Sequence, residues 1–167
     1  MGERRPAADT TLRTELRPGD IGEIVRLHGV VYAEEYGFDP TFEAYVAEPL
    51  ARFAIAASPR ERLWIGERNA AIVGCVAIVA ASREVAQLRW FLVDPSARGT
   101  GLGTRLLDEA IAFSRASGYG SVTLWTVSSL HAAARLYRAR GFAKTEEKPG
   151  RPWGVDVIEE KYELRLG

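Results

Sequence analysis

Three glycines stand close together at Gly99, Gly101 and Gly103, directly after an apolar run and directly before a helical pattern. The first amides of a helix have no partner within the helix, and the helix dipole favours negative charge there. A glycine turn lets an anion approach those amides, because no Cβ holds it away. Arg98 adds a cation at the same turn. The segment therefore predicts an anion site, and a tight turn without a ligand is the alternative.

Two common phosphate motifs do not fit this segment. A Walker A loop needs Lys and then Ser or Thr after its last glycine, but Thr104 and Arg105 follow Gly103. A dinucleotide fingerprint starting at Gly99 needs its third glycine where Thr104 stands, and expects an acidic residue after the next strand, where residues 127–129 are Val-Ser-Ser. A nucleotide-dependent oxidoreductase is therefore disfavoured.

A second motif follows further along the chain. Residues 98–103 fit the pattern R-x-x-G-x-G, and residues 133–142 fit A-x-x-L-Y-x-x-x-G-F. Together they resemble the acyl-CoA-binding signature and a later helical segment of the GNAT superfamily of N-acetyltransferases, over roughly residues 12–166. More narrowly, the sequence resembles the acetyltransferase domain of MarR-fused GNAT proteins, although the residues before Leu12 are too few for the winged helix of those proteins.

The resemblance implies an N-acetyltransferase that takes acetyl-CoA as cosubstrate. The acetyl group would move directly, in a ternary complex, to a primary amine of a small molecule, a peptide or a protein. The backbone of residues 91–93 would bind pantetheine, and the amides of residues 98–104 would bind pyrophosphate. Thr100 is equally a candidate helix N-cap. A non-catalytic acyl-CoA-binding or sensing module is the alternative function.

The family often has Asn at the position of Leu130, so Ser128 or Ser129 would have to supply that polar contact. The cofactor-binding residues implied by the resemblance are Phe91, Leu92, Val93, Arg98, Gly99, Thr100, Gly101, Leu102, Gly103, Thr104 and Ser129.

Acetyl transfer to an amine has two proton requirements. The attacking nitrogen must be neutral, although an alkylamine with a pKa near about 10.4 is mostly protonated at neutral pH. A base or a water chain is therefore needed, and an acid helps the departing thiolate. By resemblance Tyr137 is that acid, and a core aromatic is the alternative. Glu35, at the end of the first helix, is the candidate base or amine anchor, unless it is simply solvated.

Several other side chains are candidates for the acceptor site. His28 lies on an apolar helix face, where a histidine satisfied within the core is the expected outcome. Trp125 is expected in the core, whereas Trp153 should be less buried because it lies in a Gly- and Pro-rich loop. Asp156 is a further candidate lining residue. The charge runs 146–148 and 159–161 are interpreted as solvated.

The elements that must position these residues follow from periodicity. The pattern predicts an α+β fold with a mixed sheet, in the GNAT order of strand, two helices, three strands, helix, strand, helix and two strands. The crossover through the third helix should make the strands before and after it parallel, and the resemblance implies that these two strands splay apart. The predicted strands are 12–17, 63–67, 71–80, 85–93, 121–127, 142–145 and 157–166. The predicted helices begin at Asp20, at Asp39, at Leu102 within the glycine segment, and at Leu130.

Local signals set the helix ends. Asp20 and Glu23 match a capping box, and Asp39 is the expected N-cap of the second helix, ahead of Pro40. Pro49 should kink or split that helix. Gly118 is a typical residue just beyond a helix C-terminus.

Composition limits the function classes. The 167 residues suit one domain, predicted over 12–167 after a disordered tail at 1–11, with a homodimer possible. With 22 basic and 22 acidic residues the net charge is zero, so no nucleic-acid partner is expected. No stretch suits a membrane span or a secretory signal. The single Cys75 offers no disulfide and no metal cluster, which favours a cytoplasmic protein.

Overall fold

The computed structural model describes residues 9–167, in which seven strands form one sheet and four helices cover its faces. The strands are β1 (Thr11–Arg13), β2 (Arg62–Arg68), β3 (Ala71–Ala80), β4 (Val85–Val93), β5 (Ser121–Val127), β6 (Ala143–Gly150) and β7 (Val157–Arg165). The helices are α1 (Asp20–Tyr36), α2 (Pro40–Ala56), α3 (Leu102–Ala116) and α4 (His131–Ala139). The sheet order is β1-β2-β3-β4-β5-β7-β6, so the predicted element order and mixed sheet are confirmed. Most of the predicted tail lies outside the described residues.

The start of α1 differs from the predicted capping box. Gly19, with φ of 92°, is the N-cap, and no side chain caps the helix. The Asp20 carboxylate instead accepts hydrogen bonds from Arg13 and from the Arg17 amide. Glu23 pairs with Arg26. The prediction failed because an arginine on β1, seven residues earlier, competes for the aspartate.

Helix α2 begins as predicted and continues further than expected. The Asp39 side chain accepts a hydrogen bond from the Thr41 amide, and Pro40 occupies the first turn. The helix runs without a break through Pro49 to Ala56, so the predicted split is wrong. Packing of Phe42, Val46 and Leu50 in the core offsets the hydrogen bond that Pro49 removes, because buried apolar area stabilises the helix as a whole.

Strands β2 and β3 form the predicted hairpin around Asn69 and Ala70, both with positive φ. Strand β3 is buried along most of its length, as its apolar run indicated. At the far edge, β6 is longer than the predicted 142–145, because it pairs with β7 as far as Gly150. The Gly- and Pro-rich segment is therefore partly strand.

A bulge in β4 shifts its alternation by one residue, so the residues after the bulge lie on the opposite side of the sheet from the one that regular alternation gives. Cys75 pairs with Leu92 and Ala77 with Arg89, so Trp90 and Phe91 together oppose one residue of β3. Trp90 has φ of 50°, a left-handed conformation that costs a non-glycine residue about 1 kcal/mol. The Cys75 thiol donates a hydrogen bond to the Trp90 carbonyl at 3.1 Å. The bulge brings Arg89 and Trp90 to the same side of the sheet.

Strands β4 and β5 are parallel and splayed, as expected. They pair only where Val85–Gln87 lie beside Ser121–Thr123. Beyond Gln87 the two strands separate, and the second half of β4 has no neighbour on that side. One hydrophobic core lies under α3 and α4, and the other under α1 and α2. The opening between the strands therefore connects the two faces of the sheet.

Candidate active site

The glycine segment forms one wall of a large cleft, here called the glycine cleft, of about 620 Å³. Gly99 and Gly101 have φ of 75° and 84°, and Gly101 is the N-cap of α3. Left-handed backbone at both positions turns the chain tightly enough for α3 to begin immediately after the turn. The first α3 amides therefore face the cleft without side-chain caps, which is the arrangement that binds anions.

The splayed edge of β4 forms the opposite wall, and the start of α4 closes the end. Ten of the eleven residues predicted to bind cofactor line the cleft: Phe91, Leu92, Val93, Arg98, Gly99, Gly101, Leu102, Gly103, Thr104 and Ser129. The unpaired backbone of Phe91–Val93 offers amides and carbonyls to an extended ligand. A long molecule with an anionic group at one end fits these walls.

Thr100 is the exception among the predicted cofactor residues. Its hydroxyl donates a hydrogen bond to the Ala97 carbonyl at 2.6 Å, and it does not line the glycine cleft. Gly101 is the N-cap, so the alternative interpretation of Thr100 as a cap is wrong. The Thr100 hydroxyl instead bonds back to the end of a short 3₁₀ helix at Pro95–Ala97.

Glu35 is tied to the glycine turn. Its carboxylate lies 2.6 Å from the Arg98 guanidinium, with the Glu35 side chain 27 % exposed. This hydrogen bond raises the pKa of Arg98. Glu35 lines neither the glycine cleft nor the second cavity described next. The structure thus places the predicted base beside the glycine turn and outside the linings of both spaces.

A second cavity of about 110 Å³, here called the aromatic cavity, lies on the α1 and α2 face of the sheet. Its aromatic walls are Tyr32, Phe38, Phe42, Tyr45, Trp90, Phe91, Trp125, Tyr137 and Trp153. Tyr32, Phe91 and Leu130 line both this cavity and the glycine cleft. The two spaces therefore meet at the splay between β4 and β5.

Tyr137 reaches the aromatic cavity from α4. The side chain is 4 % exposed and lies among Phe91, Phe142 and Tyr162, with ring centroids 5.8–6.0 Å apart. Burial raises the pKa of Tyr137 above its ordinary value, so the phenol keeps its proton at neutral pH. Tyr137 is therefore a core aromatic that keeps its proton and lines the aromatic cavity.

His28 is only half satisfied. Its Nδ1 lies 2.8 Å from the Ile24 carbonyl, which can only accept, so Nδ1 carries the proton. Burial lowers the pKa of His28 to about 4, so the ring is neutral. Its Nε2 is therefore a lone-pair acceptor, buried and without a partner among residues 9–167, on a side chain that lines the aromatic cavity. The expectation of a fully satisfied core histidine is wrong.

The two tryptophans exchange their predicted environments. Trp153 is 7 % exposed and packs against Phe38, Phe42 and Tyr45, whereas Trp125 is half-buried beneath the Lys148 ammonium. Aromatic packing from two helices buries the loop tryptophan, which loop composition could not reveal. Both line the aromatic cavity. Asp156 is exposed and paired with Arg151, outside the cavity.

The charge run at 159–161 is not solvated as predicted. Glu160 is buried and lies 3.2 Å from the Lys144 ammonium. Glu159 has an 18 % exposed side chain and is the one carboxylate among the residues lining the aromatic cavity. The period-two alternation of β7 was the available signal, because it sends Glu159 and Glu160 to opposite faces.

Two other features bear on the chemistry. Burial raises the pKa of the Cys75 thiol to about 12, so Cys75 is not a nucleophile at neutral pH. Within residues 9–167 no cluster of three or more His, Cys, Asp or Glu side chains could hold a metal ion. In the same part of the chain, no helix has both the length and the apolarity for a membrane span.

Comparisons with known proteins identify the family. The model of the acetyltransferase (GNAT) family matches residues 28–142. An uncharacterized N-acetyltransferase from Schizosaccharomyces pombe is 31 % identical over 120 residues, covering 69 % of this chain and 72 % of the relative. An IAA acetyltransferase from Azospirillum brasilense is 33 % identical over 103 residues, covering 61 % and 66 %. The chain belongs to the acetyltransferase (GNAT) family.

Solved structures confirm the predicted fold. An N-acetyltransferase from Staphylococcus aureus Mu50 superposes with a TM-score of 0.79 at 19 % identity, covering 96 % of this chain and 100 % of that one. A protein from Salmonella typhimurium, solved with its cofactor acetyl-CoA, gives 0.77 at 20 % identity, covering 95 % and 94 %. The predicted enzyme class, an acetyltransferase, is confirmed by the family. The narrower resemblance to MarR-fused proteins stays a prediction.

Proposed function

We propose that this chain is an acetyl-CoA-dependent N-acetyltransferase that moves the acetyl group directly to a primary amine within a ternary complex. The observation that carries this proposal is the continuity of the glycine cleft with the aromatic cavity at Tyr32, Phe91 and Leu130. One space suits a long anionic ligand and the other a compact acceptor. The acetyl-CoA bound by the Salmonella typhimurium neighbour supports the choice of cosubstrate.

The residues that would hold acetyl-CoA fit its chemistry. The uncapped first amides of α3 and the turn at residues 98–101 suit a pyrophosphate. The open edge of β4 suits the amide groups of a pantetheine arm, because that backbone lacks a strand partner beyond Gln87. When bound, acetyl-CoA supplies an activated acyl group as a thioester. Glu35 has a positioning part, since it holds Arg98 at the turn.

The proton transfers fall to two residues of the aromatic cavity. Tyr137 keeps its proton and can give it to the departing thiolate sulfur. Glu159, in place of the predicted Glu35, is the carboxylate that can take the proton of the amine, directly or through water. Cys75 keeps its proton at neutral pH and therefore offers no thiolate for a covalent acyl-enzyme, which supports direct transfer.

The test is release of free CoA from acetyl-CoA in the presence of a panel of amines, amino acids and peptides. Tyr137→Phe should lower kcat about 10²-fold with little change in the KM for acetyl-CoA, because it removes one proton donor and no cofactor contact. Tyr119→Phe is the matched control. Tyr119 is as buried as Tyr137, and its hydroxyl donates a hydrogen bond to the Arg60 carbonyl. Tyr119 lines neither the glycine cleft nor the aromatic cavity.

One result would contradict catalysis. If acetyl-CoA binds tightly but no acceptor raises CoA release above spontaneous hydrolysis, the chain is a non-catalytic acyl-CoA-binding module instead. If Tyr119→Phe and Tyr137→Phe lower kcat equally, Tyr137 acts only through packing.

A further inference from the structure

The aromatic cavity holds a cation that forms no ion pair with any residue of the described chain. Arg89 on β4 is half-buried and lines the cavity. Its guanidinium lies over the rings of Tyr45 and Trp90, 5.7 and 5.2 Å from their centroids. Within residues 9–167 it takes part in no ion pair. A guanidinium stacked in this way keeps its donor edge available for an oxyanion.

An unsatisfied donor stands beside this cation. The Trp90 indole Nε1 is buried and has no hydrogen-bond partner among the described residues. An orphaned buried donor destabilises the fold, and a ligand acceptor would relieve that cost. Because the β4 bulge puts Arg89 and Trp90 on the same side of the sheet, both residues line one cavity.

The groups that accept protons come from other elements. The His28 Nε2 lone pair belongs to α1, and the Glu159 carboxylate belongs to β7, across the splay from β4. The Glu159 carboxylate also lies 3.7 Å from the Lys148 ammonium, whose side chain is 63 % exposed. The residues that line the cavity thus bring donors from β4 and acceptors from α1 and β7, with aromatic walls. This distribution of charge matches a ligand that carries both an amine and an oxyanion.

We propose that the acceptor is a compact amine that also carries a carboxylate, with an apolar body between aromatic walls. Arg89 and the Trp90 indole bind the carboxylate, and His28 and Glu159 receive the amine. The volume of about 110 Å³ suits a molecule of amino-acid size. This inference rests on the proposed function, because it names the substrate class of the same site.

The first experiment compares acids with their decarboxylated amines as acceptors. Methionine and phenylalanine are paired with 3-(methylthio)propylamine and phenethylamine, and kcat/KM is measured for each. The acids should be at least about tenfold better substrates of the wild type, the size of one charged hydrogen bond. Arg89→Gln should remove that preference by raising the KM of the acids, with less than about a threefold effect on the amines; Arg89→Lys should restore part of it.

The control is Arg52→Gln on α2. It removes the same charge from a side chain that is 70 % exposed and paired with Glu48, away from the cavity. It should leave the preference unchanged. Equal kcat/KM values for acids and decarboxylated amines in the wild type would overturn the inference.

A second experiment does not depend on turnover. Calorimetric titration of CoA-loaded protein compares N-acetylmethionine with N-acetylmethionine amide, which lacks the carboxylate charge. The acid should bind about tenfold tighter to the wild type and equally to Arg89→Gln. Equal affinities in the wild type, or no binding of either compound, would overturn the Arg89 assignment. Selective binding without turnover of any amine would instead overturn the transferase proposal and leave the carboxylate site standing.

Discussion

At the scale of single residues, substitutions at three carboxylates distinguish a base in the aromatic cavity from a residue that only positions the cofactor turn. Glu159→Gln should lower kcat about 10²-fold, because Glu159 lines the aromatic cavity.

Glu35→Gln should raise the KM for acetyl-CoA severalfold and leave kcat and its pH profile unchanged, because Glu35 contacts Arg98 and does not line the aromatic cavity. Glu34→Gln is the control, since Glu34 is exposed beside it on α1. An altered pH profile for Glu35→Gln would restore Glu35 as the base.

At the scale of elements, the glycine turn of α3 has a matched position at the other end of the same helix. Gly101 and Gly118 have φ of 84° and 82°, and a Cβ at either would meet no atom within 4 Å. Changing either residue to Ala should therefore cost a similar 1–2 kcal/mol of folding free energy. Only Gly101→Ala should also weaken acetyl-CoA binding, by about tenfold or more, because its Cβ stands where the phosphates approach the amides.

Urea unfolding and calorimetric titration with acetyl-CoA measure the two effects on both variants. Equal affinities for Gly101→Ala and Gly118→Ala would contradict the assignment of the turn as the pyrophosphate site.

The same elements explain how much of the site the sequence could predict. Nine of the ten predicted residues that line the glycine cleft lie on two short segments, 91–93 and 98–104, so a local motif and the resemblance it carries were sufficient to find them; Ser129 is the tenth. The aromatic cavity takes single side chains from distant elements, and no local pattern joins them. Arg89 was missed because simple alternation along β4 does not anticipate the bulge that puts it beside Trp90. Tertiary contacts likewise overrode the local signals at Asp20 and Pro49.

At the scale of the whole molecule, the sheet separates two hydrophobic cores. The candidate site lies at the splay between β4 and β5, where the two faces of the sheet connect. Residues of α3 and α4 pack on one face, and residues of α1 and α2 pack on the other. The splay of β4 and β5 lets Tyr137 of the first core line a cavity of the second. Tyr137 and His28, two titratable residues of the proposed site, are therefore buried within the hydrophobic cores. Titration of a group buried in this way affects the stability of the whole fold.

His28 makes this coupling measurable through pH. Its pKa is about 4 in the folded protein, because burial disfavours the charged ring, and near 6.5 in the unfolded chain. Between these values only the unfolded chain binds the proton, so lowering the pH favours unfolding, by about 2 kcal/mol at pH 5, and this loss is absent above pH 7. His28→Gln should remove this part of the pH dependence in urea unfolding, whereas His131→Gln, at the exposed start of α4, should retain it. Parallel stability curves for wild type and His28→Gln between pH 7.5 and about pH 4.5 would show that His28 is not held neutral in the fold.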